Sequence, residues 1–261
     1  MDLGLQGKVV LVTGGSKGIG LACAEAFLKE GARVAIASRS RGNLDAALAR
    51  LGADRASVVA IEADLVQAGA ARSMVQKAEQ ALGPIDVLVN SAGAAKRYLP
   101  EELDAAAWHA AMDAKYFTYI HAMDAVLPGM AARGRGVVVN VIGTGGKVAN
   151  PIHLPGGAAN AALMLATAGL AQIYGPKGVR VAGINPASTM TDRVKEALRL
   201  EARARGADED EILARGQASV PLRRYALPED IANIALFLAS EKAGYLTGLI
   251  VAADGGGHAI I

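Results

Sequence analysis

The sequence predicts an α/β fold: a single domain in three layers, with a seven-stranded parallel sheet between helices. Three observations predict it. Short Val/Ile-rich runs alternate with longer Ala/Leu-rich helical stretches along the chain, the strand–helix repeat whose product is a parallel sheet. The runs are apolar on both faces, as strands buried between two helical layers must be. At 261 residues, 52% hydrophobic and 20% charged, the chain can bury a proper core and is a poor match to disorder or a coiled coil.

The elements follow in order. Val9–Thr13 is an apolar run that enters a glycine turn and a helix over Ile19–Lys29. Strands over Arg33–Ser38 and Ser57–Glu62 bracket a helix over Leu44–Leu51, and a helix over Gln67–Leu82 leads to a strand over Asp86–Asn90. A long helix over Trp108–Met130 precedes the strand Gly136–Val141. A second helix, Pro155–Ile173, precedes the strand Val179–Asn185. The last helix, Asp230–Ala239, opens on Pro228-Glu229-Asp230, residues that a first turn favours, and Leu249–Ala252 is the seventh strand. Between the sixth and seventh strands acids and bases mix densely over Asp192–Arg224. This segment, about 192–225, reads either as a solvated helical pair or as a mobile helical lid over a substrate pocket. No linker or tandem repeat divides the chain, so one domain over 1–261 is expected.

Composition narrows the partners. A net charge of +2 without a basic run gives no footprint for nucleic acid. The single cysteine, Cys23, excludes a disulfide framework and a cysteine zinc cluster, and no metal site is expected. The opening MDLGLQGKVV lacks a signal peptide's basic start and long apolar core, which points to the cytoplasm. Between Lys147 and Lys177 no residue carries a fixed charge. Pro151, Pro155, Asn150, Asn160 and Gln172, among many Gly and Ala residues, suit a protein surface better than lipid, so no membrane partner is expected. Small residues at Gly157, Ala158, Ala161, Ala162 and Ala168 allow close helix approach and predict a homodimer or homotetramer.

The first strand, the turn Gly14-Gly15-Ser16-Lys17-Gly18-Ile19-Gly20 and the following helix form a unit that brings backbone N–H groups against a pyrophosphate. NAD sites usually carry an acid at the end of the second strand, whereas this chain has Ser38-Arg39. Lys17 and Arg39 can pair with a 2′-phosphate, so NADP(H) is expected over NAD(H). The alternative is two solvated surface cations.

Thr13-Gly14-x-x-x-Gly18-Ile19-Gly20, Asp64, Asn90-Ser91-Ala92-Gly93 and Asp254-Gly255-Gly256 together resemble the short-chain dehydrogenase/reductase family over nearly the whole chain. The resemblance implies a Rossmann fold and a cofactor site of Thr13, Gly14, Ser16, Lys17, Gly18, Ile19, Gly20, Arg39, Asp64, Leu65, Asn90, Ala92, Gly93, Asn160, Pro186 and Thr191. Asp64 falls near the adenine, Asn90 and Gly93 beside the cofactor, and Thr191 near the nicotinamide amide. The usual proline–glycine before that threonine is Pro186-Ala187 here.

The family's reaction uses a serine, a tyrosine thirteen residues on and a lysine four further. In the register set by the fifth strand these positions are Gly143, Gly156 and Asn160, and the family's supporting asparagine falls on Lys115. Lysine and asparagine are thus exchanged between two helices facing one pocket. Lys115 either restores positive charge there or stabilises a local turn, while Asn160 is placed to bond the cofactor ribose. The nearest tyrosine along the chain, Tyr174, is eighteen residues past its expected place. His153 and Thr144 are the remaining candidates for acid/base work and for polarising a substrate oxygen. Two functions stay open: an NADP-dependent oxidoreductase of small carbonyl or alcohol substrates with a non-standard acid/base apparatus, or a dinucleotide-binding protein with a sensing, regulatory or assembly role.

Overall fold

Along the first strand, Val9 and Leu11 enter one hydrophobic core while Val10 and Val12 enter another, because successive side chains of a strand point to opposite faces. The computed structural model describes residues 2–258 other than 53, 55, 94 and 95, with the backbone alone at 200, 204 and 205. Among them the elements are β1 Val9–Thr13, α1 Gly18–Lys29, β2 Arg33–Ser38, α2 Arg41–Leu51, β3 Val58–Glu62, α3 Ala68–Leu82, β4 Val87–Asn90, α4 Ala105–Ala111, α5 Thr118–Ala132, β5 Gly136–Val141, α6 Leu154–Tyr174, β6 Val179–Pro186, α7 Asp192–Arg205, α8 Glu209–Ala218, α9 Pro228–Ala239 and β7 Ile250–Ala253.

All seven strands are parallel, in the order β3-β2-β1-β4-β5-β6-β7. Residues of α3, α5 and α6, among them Met74, Tyr119 and Leu163, fill the core on one face. Residues of α1, α2 and α9, among them Phe27, Leu44 and Ile231, fill the other. This is the predicted three-layer Rossmann arrangement. The strand order reverses between β1 and β4, the switch point at whose carboxyl ends sheets of this kind form their ligand-binding crevice. Thr13 and Asn90 are register partners at that edge.

The differences from the sequence reading have local causes. The strands expected from Ser57, Asp86 and Leu249 each begin one residue later. Helix α2 begins at Arg41 rather than Leu44, because the Ser40 hydroxyl accepts the Asn43 N–H at 3.3 Å and so satisfies a first-turn donor. Helix α9 begins two residues earlier than expected, on Pro228, where a missing N–H costs nothing.

The larger difference is the helix expected over Trp108–Met130. It starts at Ala105, capped by Asp104, and is interrupted by a π-helical turn over Met112–Phe117 before α5. A π turn holds one more residue than an α turn and rotates the helix beyond it. Here it turns Lys115 into the protein, 8% exposed.

Helix α6, the uncharged one, is long and apolar enough by composition to cross a membrane. It lies on the sheet with Leu163, Thr167 and Ala171 buried and Leu165 and Ile173 exposed. The charged segment forms the helical pair α7 and α8, tied by Arg199 and Glu209 at 3.6 Å.

Candidate active site

Thr13, buried at the end of β1, is a hub for the crevice. Its hydroxyl oxygen accepts the N–H groups of Ser91 and Ala92 at 3.2 and 3.3 Å and lies 3.3 Å from Asn90 Oδ1. Asn90 Nδ2 donates to Asn140 Oδ1, and Asn140 Nδ2 to Thr167 Oγ1, each at 2.9 Å. Buried polar groups that satisfy one another in a row hold three strand ends and α6 at fixed spacing.

The glycine turn sits against this row. A Cβ on Gly14 would lie 2.7 Å from the Ser91 carbonyl oxygen, and one on Gly20 would lie 2.2 Å from the Gly14 carbonyl oxygen. Only glycine allows those approaches. Helix α1 then starts without a side-chain cap, leaving first-turn N–H groups and the positive end of the helix facing the crevice. Lys17 and Arg39 are exposed, and neither makes an ion pair among the described residues. Asp64 is exposed, its carboxylate accepting the Val66 N–H, and buried Leu65 fixes its carbonyl on His121 Nδ1 at 2.9 Å. Pro186 ends β6, and Thr191 packs over Gly18. These residues fit a dinucleotide phosphate: a cradle that a Cβ would fill, free amide donors and two unpaired cations.

Lys115 lies buried against the end of β5. Its Nζ donates to the Tyr119 hydroxyl at 2.8 Å and to the Val141 carbonyl, at the end of β5, at 3.0 Å. The Tyr119 hydroxyl donates to the same carbonyl. Burial, with a further push from Arg193, brings the Lys115 ammonium down to about 7, since taking a cation out of water favours the neutral amine. Burial raises the Tyr119 phenol instead. Gly93 abuts the π turn: a Cβ there would lie 2.0 Å from the Ala114 carbonyl oxygen.

Two residues beyond Val141, Gly143 has φ +134 and an N–H donating to Asn185 Oδ1 at 3.3 Å. A Cβ at Gly143 would stand 3.1 Å from Asn160 Nδ2. Asn160 is buried, and its Oδ1 has no hydrogen-bond partner among the described residues. His153 is half-buried beside Gly145, its Nδ1 also without a hydrogen-bond partner among the described residues. Burial and then the charges of Arg97, Lys115 and Arg193 lower its basicity, so the ring is neutral at pH 7. Gly156 is buried in the first turn of α6.

The structure therefore gathers Lys115, Asn160, His153 and Gly143 around the end of β5. Thr144 instead lines a narrow cleft with Asn185, Asp254 and His258. Tyr174 lies at the far end of α6, packed on the core. A cavity of about 460 Å³ opens under the end of the charged segment, lined by Ser188, Leu222, Arg224, Asp230, Asp254 and His258, and touches none of the Lys115 group. Sequence reasoning missed Tyr119, whose signal was its place four residues after Lys115. It also missed Arg97 and Arg193, for which no local pattern gave a signal.

The family model for short chain dehydrogenase matches residues 8–201. The chain is 35% identical over 257 residues to 2-(S)-hydroxypropyl-CoM dehydrogenase 3 of Xanthobacter autotrophicus, covering 98% of each protein. Its fold superposes with TM-score 0.93 on L-sorbose reductase of Gluconobacter frateurii complexed with NADPH and L-sorbose, at 28% identity and full coverage of both chains. It also superposes, with TM-score 0.88 and 32% identity over 97% of this chain and 98% of the other, on an NADPH-bound short chain oxidoreductase of Pseudomonas aeruginosa described as containing an atypical catalytic center.

Proposed function

The chain belongs to the short-chain dehydrogenase family, and from that premise we propose that it is an NADP-dependent oxidoreductase interconverting a small carbonyl compound and its alcohol, with Lys115 as the acid/base in place of the family's tyrosine. The observation that carries the reading is the buried Lys115 amine, brought down to about 7 at the end of β5. In this reading Gly143, Gly156 and Asn160 stand where the family's serine, tyrosine and lysine stand. The similarity to a solved relative with an atypical centre supports it.

Thr13, Gly14, Ser16, Lys17, Gly18, Ile19 and Gly20 would hold the cofactor's pyrophosphate end, with Arg39 and Lys17 on a 2′-phosphate and Asp64 and Leu65 at the adenine. Asn90, Ala92, Gly93, Pro186 and Thr191 would border the nicotinamide end. The unpartnered Asn160 Oδ1 is an acceptor suited to a ribose hydroxyl, and a buried acceptor without a donor costs free energy until one arrives. The bound cofactor supplies or takes the hydride.

The chain's own part is the proton. An ammonium has three N–H donors. Lys115 spends two, on Tyr119 and Val141, and these orient the third. In reduction it transfers that proton to the substrate oxygen as negative charge develops there and becomes a neutral amine. In oxidation the amine takes the proton back. A group titrating near neutrality serves both directions, and such a proton transfer contributes about 10²–10⁴-fold. Neutral His153 donates or accepts a hydrogen bond at the substrate without being the proton source. A small-molecule substrate, a homo-oligomer and a cytoplasmic setting complete the reading, with α6 as the self-association surface.

The test is to follow NADPH binding and NADPH oxidation with a panel of ketones for the parent and Lys115→Met. Turnover that falls by about tenfold or more with unchanged NADPH affinity supports the role of Lys115. NADPH binding without oxidation of any ketone by the parent favours the sensing or regulatory alternative.

A further inference from the structure

The carboxyl ends of β5, β6 and β7 lie side by side. Val141, whose carbonyl anchors Lys115, pairs with Ile184, and the next residue of β6, Asn185, pairs with Ala252 of β7. The Asn185 amide oxygen accepts the Gly143 N–H at 3.3 Å, which ties the turn after β5 to the end of β6. Beside them a narrow cleft of about 20 Å³ is lined by Thr144, Lys147, Asn185, Asp254 and His258. Neighbouring strands stand about 4.8 Å apart, so two strand spacings put the cleft within about 10 Å of the Lys115 anchor, along the same edge of the sheet.

The polar groups around the cleft are held in place. The Asp254 side chain is 8% exposed, and it accepts the Gly256 N–H at 3.0 Å and the His258 N–H at 3.1 Å. His258 Nδ1 lies 3.1 Å from the same carboxylate. A carboxylate only accepts, so Nδ1 carries the hydrogen and Nε2 is left for another partner. Neither Nε2 nor the Thr144 hydroxyl makes a hydrogen bond among the described residues. Asn185 is buried, and among the described residues its Nδ2 meets only the Met164 sulfur, at 3.6 Å, a weak acceptor. Three polar groups with unused capacity thus border a space that holds one water-sized group.

Charge decides what fills it. An anion would sit beside the Asp254 carboxylate and an ammonium beside Lys147, each repelled by its neighbour. A hydroxyl is neutral, donates once and accepts twice, so it can donate to Nε2 and accept from Thr144 or Asn185. We infer that the cleft is a hydroxyl subsite of the reaction centre, and that the substrate is a polyhydroxy carbonyl or alcohol compound. Its remote hydroxyl stands about four to six bonds from the reacting carbon, about 5–7 Å of extended chain, and is held by Thr144, Asn185 and His258. Asp254 is a positioning residue that fixes the His258 ring. The inference rests on the oxidoreductase reading above and adds the substrate class. The remote hydroxyl takes no part in bond making; it orients the chain that carries the reacting carbon.

The test compares 1,5-hexanediol with 2-hexanol, open-chain secondary alcohols that differ in one hydroxyl four carbon–carbon bonds from the carbinol carbon. NADP+ reduction is followed by absorbance. In parallel the histidine ring signals of ¹⁵N-labelled protein are read by NMR with each alcohol, His258 being assigned by its loss in His258→Phe. The diol is expected to show a kcat/KM about three- to tenfold above that of 2-hexanol, as one neutral hydrogen bond provides, and to shift the His258 signals, which 2-hexanol leaves in place. His258→Phe should erase most of the preference. Thr144→Val, close in shape to the parent residue, should do the same and carries the test if His258→Phe does not fold. Equal kcat/KM for the two alcohols, or a preference that survives the variants, would overturn the subsite. If neither alcohol is oxidised, the ring signals decide. A shift with the diol alone upholds the hydroxyl site and counts only against the redox reading, whereas signals unmoved by both alcohols, or moved alike, overturn it.

Discussion

Lys115 Nζ and the Tyr119 hydroxyl stand 2.8 Å apart, and both donate to the Val141 carbonyl at the end of β5. The tyrosine is fully buried, so it steadies the amine rather than meeting a substrate. A burial of this kind places a lysine where it titrates near neutrality.

The first prediction is a pH profile. If Lys115 supplies the proton, ketone reduction falls as pH rises through about 7, because the ammonium is lost, and alcohol oxidation rises over the same range. Lys115→Met should flatten both limbs. A parent profile without an inflection between pH 6 and 8 would remove Lys115 from the proton step.

The same shift is a statement about stability. Lys115 titrates at about 7 in the folded protein and at about 10.4 when unfolded. Between these values the unfolded chain holds the extra proton, so folding gains with rising pH by up to about 1.4 kcal/mol per unit. Below about 7 the cost of burying the ammonium is present in full. Urea unfolding of Lys115→Met should therefore show its largest gain over the parent near pH 6 and its smallest near pH 10.

Restoring a serine at Gly143 should fail. Its φ of +134 lies where a side chain is strained by about 1–3 kcal/mol, and the new Cβ would press on Asn160 Nδ2 at 3.1 Å. Gly143→Ser is expected to lower the thermal midpoint and to add no activity. A melting curve equal to the parent's would show that the turn relaxes.

Cofactor choice rests on Arg39 and Lys17. Arg39→Asp should weaken NADPH and leave or improve NADH, reversing their order in a binding titration. A parent that prefers NADH would show that the two cations serve only as solvated surface.

Arg180 makes a structural prediction away from the site. It donates to the carbonyls of Leu238 at 2.8 Å, Leu246 at 3.2 Å and Ser240 at 3.0 Å, tying β6 to the carboxyl end of α9, where a cation is favoured. Arg180→Met removes these three bonds, leaving the Ser240 carbonyl with only the Ala243 N–H at 3.3 Å, and should cost about 1–3 kcal/mol in denaturant unfolding.

Much of this was legible in the amino-acid order alone. Strand–helix alternation and doubly apolar runs such as Val9–Thr13 determine the parallel three-layer sheet, because buried strands must be apolar on both faces. The glycine turn marks its crevice, because only residues without a Cβ allow those backbone approaches. The place of Lys115 in the helix before the fifth strand was legible too. Its setting was not. The π turn at Met112–Phe117 has no residue signature, and from within it the Lys115 amine reaches inward to Tyr119 and Val141. Likewise Tyr98 and Ile152 are far apart in the chain and meet only after the loops fold, through the hydrogen bond from the Tyr98 N–H to the Ile152 carbonyl. A pattern read along the chain reports local periodicity, whereas charge and burial depend on neighbours that tertiary packing supplies.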